Sequence, residues 1–185
     1  MAAPIKISRE ALVDAALELV RAEKPCDARS LARALGCSTQ PIFRNFPSMQ
    51  ALREAVLEQA LARYHGYLRR AAESYSLPPY KAAGMAYVEF ARREPALFRL
   101  LFMRSRGGET DTPEARDWPE HIALAGSSAG LSGPEAELFH LEMWAVVHGV
   151  ASMLATGYLD LDENTVSRIL TDVYQGVKQR MEANL

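Results

Sequence analysis

Asp27 to Phe46 reads DARSLARALGCSTQPIFRNF, and its apolar residues and single glycine fall where two short helices joined by a tight turn need them. Leu31, Ala32 and Leu35 make the inner stripe of the first helix, and Gly36 permits a left-handed turn. Ser38 is placed to cap a second helix that carries Ile42 and Phe46 inward. The same register turns Thr39, Gln40, Arg44 and Asn45 outward. Hydrogen-bonding side chains at the start of an exposed second helix are what reading base edges in a DNA major groove requires.

Working outward from this stretch, helical signals continue in both directions. Ser8 can cap a helix whose Leu12, Ala15, Ala16, Leu19 and Val20 recur at spacings of three and four, ending before Pro25. Asp27 can cap the next helix, Pro41 falls in the first turn of the one after, and Pro47 ends it. Ser48 can cap a long helix with Leu52, Val56, Ala60, Tyr64, Tyr67 or Leu68 and Ala71 inward, running towards Pro78-Pro79. At ~1.5 Å per residue it spans roughly 35 to 40 Å, the length of a connecting rod. The expected architecture is all-α: a three-helix head over residues 1–47 and a helical domain over 48–185. Because the rod belongs to both parts, a boundary near residue 48 is a convention.

Beyond the prolines, Tyr80 to Arg93 reads as a helix with Ala83, Tyr87, Phe90 and Ala91 on one side. Pro95 opens a short aromatic one through Leu97, Phe98, Leu101 and Phe102. Residues 104–117, RSRGGETDTPEARD, lack periodicity and read as a mobile surface loop. A helix from Trp118 to Ala129 is expected to break at the glycines and proline of Gly130 to Pro134. Residues 143–159, MWAVVHGVASMLATGYL, carry no formal charge. The run is marginally short for a membrane span and contains His148, Gly149, Ser152, Thr156 and Gly157. An apolar helix of this kind in a small chain is expected to be buried on every side, which points to a second subunit. A last helix, capped by Asp162, presents Val166, Ile169, Leu170, Val173, Tyr174 and Val177 in one stripe. No repeat, low-complexity tract or strand pattern is evident.

Composition bounds the reading. The 185 residues, 49% of them apolar, suffice for a packed core. Residues 1–75 hold 11 Lys+Arg against 8 Asp+Glu, while 76–185 hold 10 against 15. A head of net charge +3 is well short of a non-specific DNA binder, so base contacts and dimerisation must supply much of any affinity. The first twenty residues lack the apolar core of a secretory signal, so a cytoplasmic location is expected. Cys26 and Cys37, too few for a zinc site, read as small buried or half-buried thiols. A disulfide between them would need Cα atoms within about 7 Å.

The helix-turn-helix, its run into FPSMQAL, and the phrases REPALFRLLF (Arg93 to Phe102) and WAVVHG (Trp144 to Gly149) resemble the TetR family of bacterial transcriptional regulators. The resemblance implies a DNA-binding regulator, most often a repressor, that binds a palindromic operator as a homodimer and releases it on binding a small molecule. It implies dimerisation through a four-helix bundle of the last two helices and their partners. On DNA it places Ser38, Thr39, Gln40, Pro41, Phe43, Arg44 and Asn45 in the major groove, with Arg29 reaching from the preceding helix. Gln40 suits adenine, Arg44 a guanine edge or a phosphate, and Pro41 a thymine methyl, while Ser38 and Thr39 suit the backbone. The chain departs from the family pattern at Phe43, where many members carry a phosphate-binding tyrosine, and at Met49, where many carry a lysine.

The resemblance also implies a ligand cavity among the middle helices. Candidate lining residues are Tyr64, Tyr67, Tyr87, Phe90, Phe98, Phe102, Met103, Trp118, Met143, Trp144 and His148, the competing reading being a packed core. His140, Trp144 and His148 share one helical face, but histidines eight residues apart, about 12 Å along the axis, cannot share a metal. No metal or cofactor is expected. Two other classes stand against the regulator: a ligand-binding or protein-interaction dimer with a degenerate head, for which Phe43 and Met49 speak, and an enzyme. No catalytic triad, carboxylate pair or phosphate loop can be placed for the latter.

Overall fold

The computed structural model describes residues 7–74, 77–104 and 112–183, and every regular element among them is an α-helix. The chain divides into two units, Met1–Arg63 and Tyr64–Leu185, and the division falls within the fourth helix.

The first unit is built on local capping. Helix α1 (Arg9–Arg21) starts at Ser8, whose hydroxyl accepts from the Ala11 amide at 3.1 Å. Its buried face is Leu12, Val13, Ala16 and Leu17, one position round from the expected stripe; Ala15, Leu19 and Val20 are half-buried. Helix α2 (Ala28–Ala34) is capped by Asp27, which accepts from the Ser30 amide at 2.8 Å. That bond holds the Asp27 carboxyl below the usual carboxylate range. Gly36 then takes φ +62°, and the Cys37 amide reaches back to the Ala32 carbonyl at 2.9 Å. Helix α3 (Gln40–Asn45) follows, and Leu31, Ile42 and Phe46 are buried with no exposure.

Ser38 does not cap α3. Thr39 precedes the helix in αR conformation and makes no side-chain cap bond. Pro41 at the second helical position has no amide hydrogen to give, and the Ile42 amide is taken by the Thr39 carbonyl at 3.1 Å, so two of the amides at this helix start are closed to a capping hydroxyl. Ser48 does cap α4 (Met49–Ser74), accepting from the Ala51 amide at 3.1 Å. In the first unit α4 buries Leu52, Val56, Ala60 and Leu61.

The second unit holds the rest of α4, with Tyr64 and Ala71 buried, and five further helices. These are α5 (Pro79–Arg93), α6 (Pro95–Phe102), α7 (Pro113–Ala129), α8 (Gly133–Ala155) and α9 (Glu163–Glu182). Helix α7 begins five residues before the expected Trp118. Thr112, buried, accepts from the Ala115 amide at 3.2 Å and Pro113 opens the helix, so the stretch expected to be loop is helical from 113. The turn signals of that stretch hide a cap. Its residues 105–111 lie outside the described ones. Pro119 is carried inside α7, where a proline removes a backbone bond.

Gly130, at φ +75°, closes α7 as expected, and its amide and that of Leu131 both return to the Gly126 carbonyl. Gly126 must itself stay a glycine, because a Cβ there would stand 2.7 Å from the Leu131 carbonyl oxygen. Asp162 caps α9, accepting from the Thr165 amide at 2.8 Å.

Helix α8 packs on α5, α6, α7 and α9 through Ala136, Phe139, His140, Met143, Val147, Val150 and Ala151. It is long and apolar enough to cross a membrane by composition, yet only part of it is buried. Within one chain it is not enclosed on every side: Leu138 is 47% and Leu141 48% exposed. The charge-free run also outlasts the helix, which stops at Ala155 before Gly157 at φ +68°.

Candidate functional site

Candidate binding chemistry falls on two surfaces, one in each unit. On the first, Arg29, Ser38, Gln40 and Arg44 are exposed, Thr39 and Pro41 half-buried, and the Phe43 ring is 51% exposed. Gln40, Phe43 and Arg44 thus make an outward row on α3, at spacings of three and four. A large apolar ring left that open beside a glutamine amide and a guanidinium is suited to base edges and thymine methyls rather than to bulk water.

Asn45 does not join that row. Its side-chain amide donates to the Pro41 carbonyl at 2.8 Å and to the Ile7 carbonyl at 3.5 Å, while Arg9 donates to the Asn45 carbonyl at 3.5 Å. Arg9 also lies 4.2 Å over the Phe46 ring. Asn45 therefore ties the start of α1 to the end of α3. The helical register places it outward because periodicity does not register a side chain that folds back on its own backbone.

Cys26 and Cys37 are free and half-buried. The Cys26 thiol donates to the Ala16 carbonyl at 3.8 Å, and burial pushes its pKa up, away from reactive thiolate.

The second surface is a cavity of about 630 Å³ among α4, α5, α7, α8 and α9 and the end of α6, a size that suits a drug-sized molecule. Tyr64, Tyr87, Phe102, Trp118, Met143 and Trp144 line it. Five expected lining residues do not. Phe90 and Phe98 are fully buried among other rings, Tyr67 packs edge-on against Phe90, and Met103 is 40% exposed at the end of α6. His148 is held by the Tyr87 hydroxyl at 2.9 Å and stacked against Trp144 and Phe98. Phe90, Phe98, Tyr67 and His148 fill the packed aromatic core beside the cavity, the role the competing reading gives them.

The polar part of the lining lies beyond the sequence expectations. Tyr80 on α5 meets His140 on α8, hydroxyl to Nδ1, at 2.9 Å. Lys81 donates to the Thr171 hydroxyl at 2.7 Å, and Asp117 is paired with His65 at 3.0 Å. Ser128 and Tyr174 satisfy each other. Burial pushes the His140 pKa down to about 4, helped by the neighbouring His121, whose own pKa burial also lowers. Both rings are neutral near pH 7. His140 and Tyr80 are legible in the sequence only as an apolar-face histidine and a helix-start tyrosine, and no local signal brings them together. Among the described residues no group of His, Cys, Asp and Glu could hold a metal ion.

Comparisons with known proteins bear on both surfaces. Residues 80–174, just over half of the chain, match the family model described as Tetracyclin repressor-like, C-terminal domain. An uncharacterized HTH-type transcriptional regulator of Mycobacterium tuberculosis is 28% identical over 98% of this chain and 85% of its own length. The class D tetracycline repressor protein of Escherichia coli is 34% identical over 56% of this chain, spanning 43% of that repressor. Among solved structures, a TetR-like transcriptional regulator from Rhodococcus sp. RHA1 superposes over the full length of both chains with a TM-score of 0.71 at 16% identity, a likeness of fold.

Proposed function

The chain belongs to the TetR family of transcriptional regulators and is a regulator rather than an enzyme, and on that premise we propose that it is a ligand-responsive repressor. In this reading it binds a palindromic operator as a cytoplasmic homodimer. The observation that carries the reading is the outward row of Gln40, Phe43 and Arg44 on α3, with Arg29 exposed on α2. Gln40 serves adenine, Arg44 a guanine edge or phosphate, Phe43 and Pro41 thymine methyls, and Ser38 and Thr39 the backbone. Phe43 in place of a tyrosine and Met49 in place of a lysine remove two backbone contacts. The head, residues 1–47 extended by the start of α4, therefore depends on base contacts and on pairing of two heads.

Pairing is assigned to α8 and α9. Leu138 and Leu141 stand nearly half exposed on α8, Ala145 is exposed along the same side, and Gly149 has nothing within 4 Å of the place a Cβ would occupy. A second copy laid there would complete a four-helix bundle and set two α3 helices about 34 to 36 Å apart, one turn of DNA, or somewhat more. Ligand in the cavity would favour dimers whose heads miss one half-site. A coupling of about 1 to 3 kcal/mol changes operator affinity about 5- to 150-fold. Helix α4 is the proposed moving part, since it buries Leu52 and Val56 in the first unit and lines the cavity with Tyr64 in the second.

The test is Leu141→Glu. A carboxylate placed in the interface would be buried without a partner, so the expected result is a folded monomer at micromolar concentration. Its affinity for a duplex enriched from a random pool should be about 100-fold weaker, because one head then binds without the other. Sedimentation velocity and fluorescence anisotropy read the two quantities. A variant that stays dimeric would remove α8 from the interface, and a monomer that keeps full affinity would mean that operator binding does not depend on two paired heads.

A further inference from the structure

The cavity has an aromatic body, and its polar lining holds acceptors on Asp117, Ser127 and Gln175 as well as donors gathered at the start of α5 on Tyr80 and Lys81 and on the facing His140. Neutral His140 and Tyr80 together carry two polar hydrogens, one on the ring and one on the phenol, and share a single bond of 2.9 Å. If Tyr80 donates to Nδ1, the hydrogen on Nε2 is spare; if Nδ1 carries the hydrogen and donates, the phenol hydrogen is spare. In either tautomer one donor of the pair has no protein partner. His140 is 5% exposed, and its Nε2 is fully buried without a hydrogen bond. With the hydrogen on Nε2, that atom is a buried donor whose desolvation costs free energy until an acceptor meets it; with the hydrogen on Nδ1, Nε2 is an unmet acceptor and the spare donor is the Tyr80 phenol.

Lys81, half-buried beside Tyr80 in the first turn of α5, adds the charge. Its ammonium carries three hydrogens and meets only the neutral Thr171 hydroxyl, with no carboxylate within ion-pair distance among the described residues. The helix end itself adds partial positive charge at the same place, since Pro78, Pro79 and Tyr80 of the α5 start line the cavity too. Asp117, the one described carboxylate in the lining, is occupied by His65. Around these polar groups stand Tyr64, Tyr87, Phe102, Trp118, Trp144 and Met143.

We infer that the ligand is a monoanion with an acceptor-only headgroup, a carboxylate or its equivalent, on a hydrophobic aromatic body. The headgroup pairs with Lys81 and takes the spare hydrogen of the Tyr80–His140 pair, while the body lies among the rings. This assignment rests on the reading of the cavity as the effector site and names the chemistry of that effector.

The experiment uses three probes of one shape and different charge: 4-phenylbutyrate, 4-phenylbutan-1-ol and 4-phenylbutylamine. Both tryptophans of the chain, Trp118 and Trp144, line the cavity, so intrinsic fluorescence reports occupancy, with calorimetry as a second readout. The carboxylate should bind at least about 10-fold tighter than the alcohol, the ratio expected of a charge-assisted hydrogen bond, and the amine weakest. Lys81→Met should bring the carboxylate and alcohol to equal affinity while leaving the alcohol unchanged. Alcohol or amine binding as tightly as carboxylate in the wild-type chain, a preference that survives Lys81→Met, or no binding by any probe would each overturn the assignment. All three probes are measured without DNA. A chain that never bound an operator would therefore still show whether the cavity prefers a carboxylate, and a cavity of the wrong chemistry would leave operator binding intact.

Discussion

Alanine at both Arg29 and Gln40 should weaken binding to an enriched duplex by more than about 30-fold, since each base or backbone contact of this kind is worth about 1 to 3 kcal/mol. Both side chains are exposed, on α2 and α3, and neither contributes to the buried core. Dimerisation and melting temperature should therefore hold, with stability unchanged within about 0.5 kcal/mol. The single Gln40→Ala change should relax preference at one base pair of each half-site. Arg29→Ala should weaken all sequences alike if it meets phosphate. Anisotropy titrations against the enriched duplex and single-base variants separate the two. A double variant that binds as the parent does would leave the degenerate-head reading standing.

Phe46→Ala should be the most damaging single substitution in the first unit. The ring has no exposure, as Leu31 and Ile42 have none, and lies under the Arg9 guanidinium. Emptying such a site costs about 3 to 5 kcal/mol, a large share of the about 5 to 15 kcal/mol that holds a whole domain. Both tryptophans belong to the second unit, so they report on it alone. The expected outcome is loss of helix by circular dichroism at a temperature where tryptophan fluorescence stays native, together with loss of DNA binding. Coincident transitions at the parent's temperature would mean that Phe46 is not what holds the head together.

Legibility in the sequence depends on range. Caps act within four residues, and Ser8, Asp27, Ser48 and Asp162 are each readable from their type and the periodic run that follows. The left-handed turns at Gly36 and Gly130 are equally local. Ser38 misleads because Pro41 has already removed the amide it would cap, and the start of α7 misleads because Thr112-Pro113 reads as turn chemistry unless a helix is known to follow. Asn45 misleads for a different reason: which backbone carbonyl its amide finds depends on where α1 begins in space.

The cavity marks the limit. Periodicity identifies which side of a helix faces inward, and it places Tyr64, Tyr87, Phe90 and Phe98 inward alike. Whether an inward residue meets a neighbour or a void depends on the separation of helices distant in sequence, which no local pattern encodes. Phe90 and Phe98 meet neighbours, and Tyr64 and Tyr87 meet the void. The Tyr80–His140 pair and the Lys81–Thr171 bond join residues 60 and 90 positions apart, so the polar character of the site emerges only with the fold.

The central claim is that this chain reads DNA sequence as a symmetric pair of heads, and selection from a random duplex pool by the purified, ligand-free protein at moderate salt tests it most directly. The account predicts enrichment of an inverted repeat whose half-site centres lie about 10 base pairs apart or somewhat more, with arms that change under Gln40→Ala. A pool that emerges without any enriched sequence, from protein shown to be folded and dimeric, would contradict it.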